Sequence, residues 1–170
     1  MPAMSHTQHR ADAPSRIGVA VLTVSDTRTL ETDTAGLAIV RALESAGHVV
    51  VAREIATDDP DLVSATVRGW LGRDDIRVVI TTGGTGVTSR DSTFEALAGL
   101  FEKRLDGFGE LFRMLSYQDI GPAAMLSRAC AGTIGRTAVF VLPGSEAAVR
   151  LALDKLLLPE LGHIVRELSR

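Results

Sequence analysis

Val78-Val79-Ile80-Thr81-Thr82-Gly83-Gly84-Thr85-Gly86-Val87-Thr88-Ser89-Arg90-Asp91 reads as a buried strand that runs into glycines and then into the start of a helix. Glycines 83, 84 and 86 lack a Cβ, so the backbone there is free to take positive φ and turn successive N–H groups toward an anion. The helix that follows adds its own N-terminal donors. The stretch therefore reads as a phosphate-binding turn with a carboxylate, Asp91, at its mouth. A purely structural turn is the competing reading, because tight strand-to-helix connections also need glycine. No Gly-Lys-Ser/Thr follows and the spacing is not Gly-x-Gly-x-x-Gly, so neither a P-loop hydrolase nor a hydride-transfer enzyme is supported.

Outward from this stretch, short apolar runs alternate with helical patterns, the signature of an α/β chain with a mostly parallel sheet. Residues 17–24 predict a first strand ending in Ser25-Asp26, followed by a helix with Leu37, Val40 and Leu43 on one face and Gly47 as its stop. Residues 48–55 predict a second strand. Asp59 then caps a helix that starts at Pro60 and carries the stripe Leu62, Val63, Thr66, Val67, Trp70 and Leu71.

After the strand at residues 77–81 and its glycine turn, Ser92-Thr93-Phe94-Glu95 matches a capping box for a helix reaching about residue 104. Residues 108–117 and 122–128 predict two shorter helices broken at Gly121-Pro122. Residues 137–142 predict a last strand, ending in Pro143-Gly144-Ser145. The final helix places Val149, Leu153 and Leu156 in the core, and Pro159 kinks or ends it.

In an open parallel sheet, ligands bind where such strand-to-helix turns gather at the carboxyl edge. The turns here are Ser25-Asp26, Asp58-Asp59, the glycine segment with Asp91, and Pro143-Gly144-Ser145. Their Ser, Thr, Asp and Gly suit phosphates and a divalent cation. The capping box assigns the helix start to Ser92 and Glu95 and leaves Asp91 for chemistry; Asp59, as a cap, leaves Asp58 in the same position. An ordinary cap or a surface turn is the bland reading of each carboxylate. Ser145 reads either as a plain N-cap or as part of an anion site, and Arg90 either as a phosphate clamp or as a solvated cation. The stripe Leu111, Phe112 and Leu115 reads as core or subunit interface.

A chain of 170 residues fits one domain, read here as residues 16–170 behind a disordered leader at residues 1–15. Net charge of -3 and 4% aromatic residues argue against a nucleic-acid partner. No apolar run approaches the roughly 20 residues that cross a bilayer, and no signal-peptide core is present, so no membrane is expected and a cytoplasmic location is. Cys130 is the only cysteine, which excludes an internal disulfide and a thiolate metal cluster, and it reads as a packed residue. His6 and His9 fall in the leader, and His48 and His163 stand alone in the sequence.

Leu22-Thr23-Val24-Ser25-Asp26, Thr82-Gly83-Gly84-Thr85-Gly86, Arg90-Asp91, Glu95-Ala96 and Leu142-Pro143-Gly144-Ser145 together resemble the MoaB/Mog family of molybdenum-cofactor biosynthesis proteins. The resemblance spans about residues 17–163. Any one of these motifs is weak; the set is specific. Residues 108–116, Leu126-Ser127-Arg128, and Phe94 where the Mog branch usually has proline are similar to the MoaB branch in particular.

The resemblance implies a three-layer α/β molybdopterin-binding domain, with helices on both faces of the sheet, that assembles into homo-trimers or homo-hexamers. It implies Mg2+-dependent transfer of AMP from ATP to the terminal phosphate of molybdopterin, with release of pyrophosphate and delivery of the product to a molybdenum insertase. On that resemblance Asp91 and Asp58 are the catalytic and metal-binding carboxylates. Gly83, Gly84, Thr85, Gly86, Gly144 and Ser145 meet the nucleotide phosphates, and Ser25, Asp26 and Ser116 line the pterin region. A noncatalytic molybdopterin-binding or scaffold protein of the same pathway is the alternative.

Overall fold

The structure is a computed structural model that describes residues 14–170. Most of the expected leader, with His6 and His9, lies outside the described residues. In chain order the strands are β1 (Gly18–Val24), β2 (Val49–Ala56), β3 (Val78–Thr82), β4 (Lys103–Arg104), β5 (Cys130–Ile134) and β6 (Thr137–Leu142). The helices are α1 (Thr34–Ser45), α2 (Pro60–Trp70), α3 (Thr93–Ala98), α4 (Asp106–Ile120), α5 (Glu146–Ala152) and α6 (Leu158–Glu167). A 3-10 turn, Gly121–Leu126, follows α4, and a π turn, Leu153–Leu157, joins α5 to α6.

The six strands form one sheet in the order β2-β1-β3-β6-β5-β4. Strands β2, β1, β3 and β6 run parallel, while β5 and β4 add an antiparallel flank. β3 and β6 are buried along their whole length, which is why they read as continuous apolar or Thr runs. Alternate residues serve opposite faces. Val19, Val21, Val78, Ile80, Phe140 and Leu142 pack against α1, α4, α5 and α6. Ala20, Leu22, Val79, Val139 and Val141 pack against α2 and α3. The chain leaves β1 for β2 on one side and returns to β3 on the other, so the turns after β1 and β3 part at a topological switch point.

Several local signals are realised as read. Asp59 caps α2 by accepting from the Asp61 and Leu62 amides, with Pro60 at the first helical position. Gly47 follows α1 at φ 87, and Gly121 ends α4 at φ 65. Other elements depart from the pattern. The buried face of α1 is Ala35, Ile39 and Leu43; Leu37 and Val40 sit at its margins. Leu62 lies on the exposed side of α2. Helix α3 stops at Ala98, because the chain then turns to pair Lys103 and Arg104 with Thr133 and Gly132 of β5. β5 itself is short, contains glycine, and carries no alternation to betray it. Gly132 is required there because a Cβ would overlap the Phe101 ring.

Pro159 neither ends the last helix nor breaks it. The wide π turn, in which the Leu158 amide donates to the Leu153 carbonyl, absorbs the missing donor and the ring. One extra residue in that turn rotates the register, so Leu157, followed by Leu161 and Val165, enters the core in place of Leu156. Leu157→Ala is expected to cost about 2–5 kcal/mol and Leu156→Ala less than half as much. Urea denaturation of the two variants measures this, and equal losses would contradict the register.

Candidate functional site

The strand-end turns are tied together at the carboxyl edge of the sheet by hydrogen bonds. The Gly83 amide donates to the Leu142 carbonyl at 3.1 Å, and the Thr82 hydroxyl to the Pro143 carbonyl at 2.8 Å. The Ser25 amide donates to the Ala56 carbonyl at 2.8 Å, and the Asp58 amide to Asp26 Oδ1 at 3.1 Å. Gly83 and Gly84 take positive φ of 97° and 65°. A Cβ on Gly83 would overlap the Val24 carbonyl oxygen, and one on Gly84 would overlap the Thr93 hydroxyl. Gly86 does not adopt positive φ; its missing Cβ instead makes room for Asp91, whose Oδ2 lies 2.6 Å from where that Cβ would be.

A cleft of about 460 Å³ opens beside this turn and gathers Gly83, Gly84, Thr85, Gly86, Asp91, Ser116, Gly144 and Ser145. Phe112, Ile120 and Leu126 add an apolar wall from α4 and the 3-10 turn. Ser145 also caps α5, its hydroxyl accepting from the Ala148 amide at 3.2 Å. Ser25 lines a smaller hollow of about 160 Å³ at the β1–β3 switch point, which shares Gly83 and Gly144 with the cleft. Asp26 and Asp58 line neither space. Asp26 pairs with Arg90, which is therefore an ion-pair partner of the neighbouring turn. Asp58 stands beside Gly84, with Oδ1 3.1 Å from the vacant Cβ position.

The capping box does not form, and Asp91 is held apart from the helix start by Thr88 instead. Ser92 occupies the N-cap position of α3 without a side-chain cap bond. Its hydroxyl and amide donate to Asp58 Oδ1 at 3.0 and 3.3 Å, and Glu95 pairs with Arg128. Asp91 is fixed within its own loop: Oδ2 accepts from the Thr88 hydroxyl at 2.5 Å and the Thr88 amide at 3.0 Å. The Thr88 hydroxyl first, then the Thr88 and Gly86 amides and the Arg128 charge, hold the Asp91 carboxyl below the usual carboxylate range. Asp91 is thus an ionised carboxylate at the cleft near neutral pH. Among the described residues, no group of three or more His, Cys, Asp or Glu is placed to hold a metal.

The contribution that sequence pattern did not assign is Arg128. It lies far from the glycine turn in the chain, yet its guanidinium reaches the carbonyls of Thr85, Gly86 and Asp91. Phe94 lies beneath it, with the guanidinium carbon 5.1 Å from the ring centroid. Phe94 therefore supports Arg128 and does not enter the cleft. A buried network beside the switch point was also unassigned: Asp33 accepts from Thr23 Oγ1 and the Gly36 amide, both at 2.8 Å, and pairs with Arg53 at 3.1 Å.

Residues 20–163 match the family model described as "Probable molybdopterin binding domain". The chain is 53% identical to molybdenum cofactor biosynthesis protein B of Bacillus anthracis over 168 residues, covering 98% of this chain and 99% of that protein. A crystal structure of a molybdenum cofactor biosynthesis protein B superposes with a TM-score of 0.91 at 52% identity, covering 94% of this chain and 99% of the other. The tungsten cofactor synthesizing protein MoaB from Pyrococcus furiosus follows at a TM-score of 0.82 and 38% identity, covering 93% and 100%.

No part of the site needs the single thiol. Cys130 is buried in β5, and burial pushes its pKa up from 9.0 to about 11 despite the nearby Arg104, Arg113 and Arg128 charges. His163 is paired with Glu160 along α6, at 3.0 Å. The unfolded chain releases the Cys130 proton near 9.0 and the folded one near 11, so this group's stabilising contribution is complete below pH 9.0 and is lost as pH rises toward 11. Denaturation midpoints between those pH values should fall more steeply in the wild type than in Cys130→Ala, by up to about 1.4 kcal/mol per pH unit. Parallel curves would remove the assignment.

Proposed function

The chain belongs to the MoCF_biosynth family of probable molybdopterin binding domains, in its MoaB branch, and from that premise we propose that it transfers AMP from ATP to the terminal phosphate of molybdopterin. A part in molybdenum cofactor biosynthesis goes with the family. The observation that carries the finer reading is the cleft itself: the glycine turn, Gly144-Ser145 and an ionised Asp91 on one side, and Phe112, Ile120 and Leu126 on the other. A polar turn for phosphates facing an apolar wall for a flat ring suits a phosphorylated pterin.

In the proposed reaction an oxygen of the pterin's terminal phosphate bonds to the α-phosphorus of ATP. The bond from that phosphorus to the β-phosphate bridging oxygen breaks, and pyrophosphate leaves with the electron pair. The attacking phosphate is already ionised, so the protein need not remove a proton. Its work is alignment and electrostatic stabilisation. The Gly83 amide is taken by the Leu142 carbonyl and the Gly86 amide serves Asp91, so the Gly84 and Thr85 amides are the turn donors offered to phosphate oxygens. Ser116 and Ser145 lie along the cleft, and Ser25 and Asp26 at the neighbouring hollow and turn. Asp91 in the cleft and Asp58 beside Gly84 are the carboxylates that would hold Mg2+, which takes one or two carboxylates together with substrate phosphates and not an all-protein cage. When bound, Mg2+ would neutralise charge developing on the pyrophosphate.

A second reading, a molybdopterin-binding or scaffold protein without turnover, draws on one observation: Asp91 Oδ2 is already engaged by two Thr88 bonds. Pyrophosphate release from molybdopterin, ATP and Mg2+ separates the readings. The wild type should release it, and Asp91→Asn should lower kcat on the order of 100-fold to 1000-fold. Equal rates would end the role of Asp91, while tight pterin binding without any release would favour the scaffold.

We also propose assembly into a homo-trimer or homo-hexamer and a cytoplasmic location, with a molybdenum insertase as recipient. Among the described residues no helix is long and apolar enough to cross a membrane. α4 divides its apolar residues: Phe108 and Phe112 face the core, while Leu111, Met114 and Tyr117, outside the cleft, are exposed, as is Met125 of the 3-10 turn. A strip of this kind suits contact between subunits. Light scattering should give three or six times the 18.1 kDa chain mass, and Leu111→Glu with Met114→Glu should reduce it. A monomeric wild type would refute the assembly.

A further inference from the structure

We propose that Arg128 is a positioning residue that sets both Asp91 and Asp58 through the peptide planes of the glycine turn. This rests, for its kinetic consequence, on the adenylyl-transfer reading above. Arg128 does not line the cleft; it faces the separate hollow beyond it, with Arg104 and Arg113. Its influence on chemistry must therefore pass through other groups.

The contacts define the path. Nε donates to the Thr85 carbonyl at 3.1 Å, and Nη2 donates to the Gly86 carbonyl at 2.6 Å and the Asp91 carbonyl at 3.4 Å. Nη1 pairs with Glu95, and the Phe94 ring backs the guanidinium. In a trans peptide the C=O and N–H point in opposite directions, and the described chain has no cis bonds. With the Thr85 carbonyl held by Arg128, the amide of the same peptide, Gly86 N–H, points away from the guanidinium, at a residue whose vacant Cβ position lies 2.6 Å from Asp91 Oδ2, and there it acts with Thr88 to favour the ionised form. With the Asp91 carbonyl held, the amide of its peptide, Ser92 N–H, donates to Asp58 Oδ1 at 3.3 Å. One guanidinium thus orients two peptides, and each delivers a donor to a different carboxylate.

The geometry demands arginine. A planar fork serves several carbonyls at once, whereas a lysine ammonium is a point charge that fits one or two and lacks the flat face that stacks on Phe94. Without the fork, the Thr85–Gly86 peptide is free to rotate. Its carbonyl oxygen would then face the carboxylate and any phosphate, replacing attraction with repulsion. The charge itself is secondary, since Glu95 already offsets it.

The test uses the full chain with Arg128→Lys, Arg128→Met and Glu95→Gln. In protein without substrates, amide hydrogen exchange at Gly86 and Ser92 should accelerate about tenfold or more in both Arg128 variants, while β1 and β6 amides stay protected, which shows that the fold persists. Glu95→Gln, which keeps the carbonyl contacts, should exchange like the wild type. In the pyrophosphate assay, kcat of Arg128→Lys should fall on the order of 100-fold, with KM changing far less. Unchanged exchange at both amides in an intact fold would overturn the proposal. So would full activity in Arg128→Lys, which would reduce the role to charge. If the wild type releases no pyrophosphate, the adenylyl-transfer reading fails, and the exchange measurement still decides whether Arg128 sets the two peptides.

Discussion

Backbone meets backbone at Gly83 without room for a single Cβ, and the carboxyl edge of the sheet is organised around that contact. Gly83 hydrogen-bonds the end of β6 through Leu142 while its Cα face lies against the Val24 carbonyl at the end of β1. Gly144 approaches the same residue from the other side, with its own Cβ position 3.3 Å from the Gly83 Cα. A side chain at Gly83 would wedge the turns apart, and one at Gly144 would press on Gly83. The close approach draws the turns after β1, β3 and β6 into one wall, and a positive φ at Gly83 and Gly84 lets the chain leave it toward α3.

The charges of the site are arranged so that each carboxylate is held by donors from elsewhere in the same edge. Asp91 is held by Thr88, Asp58 by Ser92, Asp26 by Arg90 and by the Asp58 amide. Asp33 is buried, so it needs the three partners it has in Thr23, Gly36 and Arg53. Such fixed groups lose little freedom when a substrate binds, which is the condition for alignment to accelerate a transfer. The apolar wall supplied by α4 and the 3-10 turn gives the cleft its second character. In the proposed reaction it would leave phosphate recognition to the turn and the ring to Phe112, Ile120 and Leu126.

The parallel strands, the glycine turn, the Asp59-Pro60 helix start, the Gly47 stop and the Gly121 break were legible because each depends on residues adjacent in the chain. Period, positive φ and capping by a neighbouring side chain are local properties. The sites where such rules misled are those with a competing distant partner. Ser92 and Glu95 have the spacing of a capping box, but the charged groups of Asp58 and Arg128 take both side chains, one by a hydrogen bond to the carboxylate and the other as an ion pair. The end of α3 follows from the pairing of β4 with β5, and the exposure of Leu62 and the register of Leu157 follow from how helices meet the sheet.

By itself the sequence determined the fold class, the convergence of Ser25, Asp58, the residue 83–86 turn, Asp91 and Ser145 on one edge, and the family. Periodicity and glycine placement act within a few residues, and a parallel sheet sends all such turns to the same end. Only the tertiary structure decided which groups hold which. The Ser92–Asp58 bond joins residues 34 apart in the chain, and the Arg128–Thr85 bond joins residues 43 apart. Nothing in the residues around Arg128 says that Phe94 will lie under it or that three carbonyls will meet it. Those partners are chosen by packing across the sheet, where competition among donors and acceptors is settled in space and not along the chain.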